Sequence, residues 1–216
     1  MRLFLWIFLG RAVAADLQVM YFNTDGTEHR TMAAAANTVA EILRGLGISL
    51  SWNESPAEAE LLVSYVQPEK GAKGREQKCR ALRSIHLRIL RAGPPGVSKF
   101  ILGYSNPLAP EGINVTIFGD AVESASIRYQ ASMSVILGHA IAHEIGHVLL
   151  RSGTNSAGGL MSASWTSREY FWMKSRLLRF SRKDAESIRL ALAGVECGSG
   201  SGDRSRAVLT RRVAIP

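Results

Sequence analysis

The stretch "SVILGHAIAHEIGHVLL", Ser134 to Leu150, constrains this chain more than any other. Val135, Ile136, Leu137, Ala140, Ile141, Ile145, Val148 and Leu149 leave a helix here with no polar face. A helix that is apolar nearly all round belongs in the middle of a domain. The helical pattern runs from about Glu123 to Leu150, and its C-terminal part also carries His139, His143, Glu144 and His147. Burying an unpaired carboxylate is expensive, so these groups need hydrogen-bond partners or a metal.

The spacing offers the metal. Residues i and i+4 of a helix share one face. His143 and His147 can therefore turn ring nitrogens toward one zinc ion, at roughly 2.0–2.1 Å. Glu144 projects near the same point but off the two-histidine axis, the place of a general base rather than a ligand. Zinc lowers the pKa of a bound water to roughly 7. Glu144 would take that water's proton and pass it to a leaving amine. Gly146 slims the helix between the histidines for another segment to approach, at a helix-propensity cost of about 1 kcal/mol. H-E-x-x-H matches also arise by chance, and two histidines in a polar helix would mean little. The apolar flanks make the difference here. His139 lies one turn before His143, but His139 and His147 are about 12 Å apart along a straight helix. One small ion does not bridge all three, so His139 is expected beside the site rather than on the metal.

The remaining pattern predicts one α+β domain. "LQVMYFN" (Leu17 to Asn23) alternates as a strand, and "DGT" after it is a turn. Thr31 to Leu46 reads as a helix with Val39, Ile42, Leu43 and Leu46 on one stripe, ended by Gly45 and Gly47. Further strands are expected at Ile48 to Trp52, at Ala59 to Gln67 in a central position, at Ser84 to Leu90 and at Gly112 to Asp120. "KFILGYS" reads either as a short strand or as a turn of helix. Helical turns follow Met161. A last helix runs from Ser181 to about Val195, where Ser181 and Asp184 form an S-x-x-D capping signal.

The chain ends read differently. Arg2, the apolar run Leu3 to Gly10 and the small-x-small site Ala12-Val13-Ala14 make residues 1–14 an expected signal peptide and the protein secreted or periplasmic. The run is too short to span a bilayer, and no other stretch is expected to do so. Residues 15–196 hold the domain. Residues 197–216 form a Gly/Ser-rich basic tail expected to be disordered. Export permits a disulfide between Cys79 and Cys197, but nothing in their surroundings fixes the geometry. The net charge is +8. Its basic residues are scattered, with modest concentrations at Lys70–Arg91, Arg176–Lys183 and Arg204–Arg212 and no aromatic interleaving, so nucleic acid is not an expected partner.

"AHEIGHVLL", then a short loop, "GLM" and a tryptophan resemble the zincin metallopeptidases, and specifically small secreted bacterial zincin-like proteins. Their pattern is A-H-E-[IL]-G-H-x-L-L, a loop ending in H-S-x-x-G-[IL]-M, and a downstream tryptophan. "GISLSW" and "RFSRKDAESIR" extend the similarity over most of residues 15–196. The resemblance implies a zincin-like fold: a twisted mixed sheet, an active-site helix and a C-terminal helical part. It implies Zn2+ as cofactor, a peptide or protein as substrate, and Met161 as the Met-turn floor beneath the metal. It also places a third histidine ligand where this chain has Asn155. An amide oxygen is neutral and hard, whereas zinc favours imidazole or thiolate. Glu169 and Glu186 are further carboxylates able to reach a metal from later helices. Tyr170 is either an oxyanion donor or a packing aromatic, and Trp165 and His86 read as structural. "GINVTIF" is the strand expected to pair with an extended substrate. The leading expectation is zinc-dependent peptide hydrolysis. The alternatives are a catalytically weak or inactive zincin-fold binding protein, and a basic surface-binding module.

Overall fold

A computed structural model describes residues 15–55, 84–108 and 114–193. The expected signal peptide, the strand at Ala59 to Gln67, both cysteines and the tail lie outside the described residues. The described elements are β1 (Ala15–Asn23), α1 (His29–Arg44), β2 (Ile48–Glu54), β3 (Ser84–Leu90), β4 (Gly103–Ser105), β5 (Val115–Phe118), α2 (Gly119–Tyr129), α3 (Met133–Leu150), α4 (Ser167–Lys174) and α5 (Arg182–Ala193). Their sheet has the order β2-β1-β3-β5-β4. The first four strands in that order run parallel, and β4 alone is antiparallel. The mixed sheet, buried helix and helical C-terminal part match the expected architecture.

Local chemistry explains the elements. In β1, Leu17, Val19 and Tyr21 are buried while Asp16 and Gln18 are exposed, the alternation of a strand with one covered face. Helix α1 buries the stripe Met32, Ala35, Val39, Ile42 and Leu43. It ends where Gly47 takes φ 82°, a left-handed turn that returns the chain as β2. Val115, Thr116, Ile117 and Phe118 are all buried, because β5 is enclosed by β3 and β4.

Two expectations need correction. "GINVTIF" does not lie on an edge: β5 pairs with β3 on one side and β4 on the other, so no substrate strand can join it. Among the described residues β4, from the ambiguous "KFILGYS" segment, is the terminal strand on this side of the sheet. A Cβ on Gly103 would stand 2.5 Å from the Thr116 carbonyl oxygen, so only glycine permits this approach of β4 to β5. The long helix from Glu123 is instead two helices, and α2 begins earlier, at Gly119. Gln130 adopts φ 47° between them, with its N–H on Ile127 O and the Ala131 N–H on Ser126 O. The Ser126 hydroxyl also donates to Ala131 O at 2.7 Å. This local closure lets α3 change direction and enter the core.

Every residue of α3 from Ile136 to Leu149 is buried. The helix packs against α1, α2, α4, α5, β4 and β5. By length and composition it could cross a membrane, contrary to the expectation that no stretch could, but 78% of it is buried inside the protein. That is the setting of a core helix. Gly138 sets the closest approach: a Cβ there would lie 2.6 Å from Thr38 Cβ and 2.8 Å from Ala35 O on α1.

Gly138→Ala tests this contact, because propensity and packing oppose each other. Alanine gains about 1 kcal/mol of helix propensity, whereas overpacking a tight core costs about 1–3 kcal/mol. With backbone among the atoms in the way, the packing cost should dominate. Urea denaturation should show a net loss of stability, and a gain would mean that α1 yields freely.

Candidate metal centre

The helix turn brings His143 and His147 together as their spacing predicts. Their Nε2 atoms are 3.1 Å apart, with ring centroids 4.8 Å apart and planes at 75°. Each Nδ1 is committed elsewhere: that of His143 donates to Leu160 O at 2.7 Å, and that of His147 to Ser152 O at 2.8 Å. With the ring proton held on Nδ1, each neutral imidazole presents an Nε2 lone pair. Two lone pairs therefore face one another in the core. Carbonyl-oriented imidazoles of this kind are the usual support of a metal-ligating pair.

Asn155 reaches the same point. Its Oδ1 is 3.2 Å from His147 Nε2 and also bears on His143. Its loop is fastened from behind. The Ser156 hydroxyl donates to Asp184 Oδ1 at 2.5 Å, and the Ser181 hydroxyl to Asp184 Oδ2 at 2.7 Å. The Asp184 N–H returns to Ser181 Oγ at 3.1 Å, the expected cap of α5. The Ser156 N–H also donates to Met161 O at 2.8 Å.

Met161 packs against the helix at Gly146. The side chain is fully buried, and a Cβ on Gly146 would stand 2.5 Å from Met161 Sδ and 2.7 Å from Phe180 Cε1. The missing side chain is the space that the turn occupies. Gly159, at φ 71°, makes that turn. Leu160 O then accepts both from His143 and from Trp165 Nε1, the latter at 3.2 Å. The indole stands edge-on to His143 at 5.6 Å, so Trp165 packs and also orients.

Glu144 is 2% exposed, and burial raises its carboxyl to about 8, opposed by a hydrogen bond from Ser105. Burial lowers His143 to about 3, aided by the proximity of His147, and burial also lowers His147. Burial thus favours the uncharged form of all three groups. Among the described residues no three His, Cys, Asp or Glu side chains gather as a metal cluster. The donor set is two imidazoles and one amide oxygen.

The other candidates fall elsewhere. His139 donates from Nδ1 to Val135 O at 2.7 Å, and its buried Nε2 has no hydrogen-bond partner. Glu169 caps α4 through the Thr166 N–H and hydroxyl and pairs with Arg168. Glu186 pairs with Arg182 on the surface of α5. Neither glutamate joins the histidines. Tyr170 is buried and stacked on Tyr129 at 3.8 Å, a packing aromatic. His86 is a buried strand residue whose backbone N–H donates to Asn114 Oδ1. Sequence reading missed Ser105, which belongs to a three-residue strand far from the motif. It missed the carbonyls of Leu160 and Ser152 because backbone acceptors leave no trace in residue identity. The Ser156–Asp184 bond was equally silent, although Asp184 had been noticed as a cap.

No protein-family model matches the sequence, and no curated protein matches it. Among solved structures, the chain is similar to archaemetzincin from Methanopyrus kandleri, with a TM-score of 0.46 and 14% identity over 82% of this chain and 96% of that one. It is also similar to metalloproteinase-II from Bacteroides fragilis, with a TM-score of 0.46 and 14% identity over 84% of this chain. There it spans about half of the neighbour's length, 54%. At this degree of likeness the chemistry of the site rests on its own geometry.

His139 gives a pH prediction. Burial lowers it to about 4; Arg179 lowers it further, while Glu41 and the carbonyls of Val135 and Leu178 raise it. Its unfolded value is about 6.5, so the unfolded chain binds more protons between those values and stability falls as pH drops through that window. The full contribution is about 3 kcal/mol at most. Buried His143 and His147 act in the same direction, and the raised carboxyl of Glu144 acts against the three imidazoles. Melting temperatures from pH 7 to 4 should therefore decline, and less steeply in His139→Leu. An unchanged slope would mean that His139 does not contribute to the pH dependence.

Proposed function

We propose that this protein is a zincin-like metallopeptidase that hydrolyses peptide bonds, with His143, His147 and Asn155 holding zinc and Glu144 as its general base and acid. The observation that carries the reading is the pair of Nε2 lone pairs 3.1 Å apart in the core, each fixed by an Nδ1–carbonyl bond. A divalent cation fits that pair and the Asn155 oxygen beside it, since all three atoms are donors of electron density. The Met161 turn against Gly146 supports the same reading. The low similarity to two metalloenzymes is not needed for it.

Zinc, when bound, supplies Lewis acidity that acidifies a coordinated water and polarises a peptide carbonyl. The chain does the rest. Glu144 accepts a proton at its carboxylate and delivers it to the leaving amine. A cation beside Glu144 favours the ionised form that a base requires, against the burial that favours the acid. Ser105 bears on Glu144 and favours its ionised form. Ser105 belongs to β4, the edge strand among the described residues, so an extended peptide paired along β4 would pass close to Glu144. The burial of His143, Glu144 and His147 keeps bulk water from the reacting groups. Export, from the N-terminal pattern, would place this activity outside the cytoplasm.

The same burial, with a neutral amide as third donor, favours a second reading: a zincin-fold binding protein with little or no catalysis. Zinc content and turnover separate the two. Protein purified without added metal should carry about one zinc per chain, and a broad set of fluorogenic peptides should reveal hydrolysis. Glu144→Gln should keep the zinc and reduce kcat by at least about a hundredfold. Zinc without Glu144-dependent turnover would establish the binding protein. Absence of stoichiometric zinc would remove the metallopeptidase.

A further inference from the structure

Asn155 does something at this site that a histidine in its place does not. Its Oδ1 approaches His147 Nε2 at 3.2 Å, while its buried Nδ2 has no hydrogen-bond partner. The Nε2 atoms are acceptors, because both ring protons sit on Nδ1 toward carbonyls. The amide oxygen is an acceptor too. Three acceptors thus converge, and the one group with two hydrogens to donate points away. The arrangement suits a cation at the centre. Without one, a half-turn of the amide about Cβ–Cγ exchanges Oδ1 and Nδ2 with almost no change of shape. The NH2 group then faces two lone pairs and has one hydrogen for each.

We propose that Asn155 is a two-position ligand: its carbonyl oxygen faces the metal when zinc is bound, and its NH2 group bridges the Nε2 atoms of His143 and His147 when zinc is absent. This rests on the metallopeptidase reading for the zinc-bound position only. Metal then competes with an internal pair of hydrogen bonds rather than entering a set of unsatisfied donors. Buried acceptors left unpaired are costly, so the bridge stabilises the metal-free protein. A third histidine has a single N–H at most to offer two acceptors, and binds metal more tightly. Asparagine therefore gives a site that stays folded without zinc and releases zinc more readily. The residue determines how strongly occupancy follows the free zinc concentration.

The sign of one stability change distinguishes this from a simple ligand. In EDTA-dialysed full-length protein, Asn155→Ala should lower the melting temperature by about 3 °C or more, because the bridge is lost. An asparagine that serves only as a metal ligand predicts no change or a rise, since its removal relieves the crowding of acceptors; either result overturns the proposal. The second measurement needs no variant. In the 15N-labelled metal-free protein, the two side-chain NH2 protons of Asn155 should exchange slowly with solvent, and zinc chloride should move both resonances. Fast exchange in the metal-free protein, or zinc binding that leaves those resonances unmoved, overturns the proposal. Titration of zinc into wild type and Asn155→His separates the two ideas. Binding at least about tenfold tighter in Asn155→His supports the exchange. Failure of both proteins to bind zinc rejects the metal-facing position and the metallopeptidase reading together, whereas slow NH2 exchange with zinc bound but no turnover rejects the enzyme alone.

Discussion

The structure depends on one constraint: α3 carries His139, His143, Glu144 and His147 into the core, where their polar atoms need partners from the surrounding chain. A buried polar group without a partner costs free energy on the scale of a whole domain's margin of stability. Much of the surrounding architecture can be read as the answer. Val135, Leu160 and Ser152 turn carbonyls toward the three imidazoles, and Ser105 turns a hydroxyl toward the carboxyl. Three of these four partners come from segments other than α3.

Those partners are held in turn. The loop after α3 crosses back beneath the helix because Gly146 leaves room for Met161, and Gly159 supplies the left-handed turn that directs Leu160 O at His143. Asp184, at the start of α5, grips Ser156 next to Asn155 and so ties the Asn155 loop to the C-terminal helix. On the opposite side, Gly103 lets β4 close on β5 and brings Ser105 within reach of Glu144. Two glycines thus allow close approaches and a third turns the chain, and the polar site occupies the space between these segments. Its polar groups are two imidazoles, a carboxyl and an amide, and the burial around them favours their uncharged forms.

Much of the site was legible before any coordinates. The i, i+4 spacing put His143 and His147 on one face, and Glu144 followed from the motif. The flanking apolar residues announced burial. Gly146 was expected to admit a tight segment, and that segment is Met161. Asn155 was expected in the third donor position and stands at His147. The misreadings have a common origin. The break at Gln130 lies inside an unbroken helical pattern, because a left-handed residue other than glycine leaves no compositional signal. Likewise "GINVTIF" looks like any strand, and whether a strand is central or on the edge depends on its neighbours.

What the sequence determined by itself is therefore local: a buried helix, two imidazoles on one face, a carboxyl beside them, and an asparagine and a methionine after them. These follow from helical periodicity and from the cost of burying charge, both of which act over a few residues. The tertiary structure alone decided which Nδ1 meets which carbonyl, that Ser105 attends Glu144, that Asp184 secures the Asn155 loop, and that β5 is enclosed between β3 and β4. The reason is physical. Those relations are made between segments far apart in the chain, largely through backbone atoms that every residue possesses, so no residue type announces them.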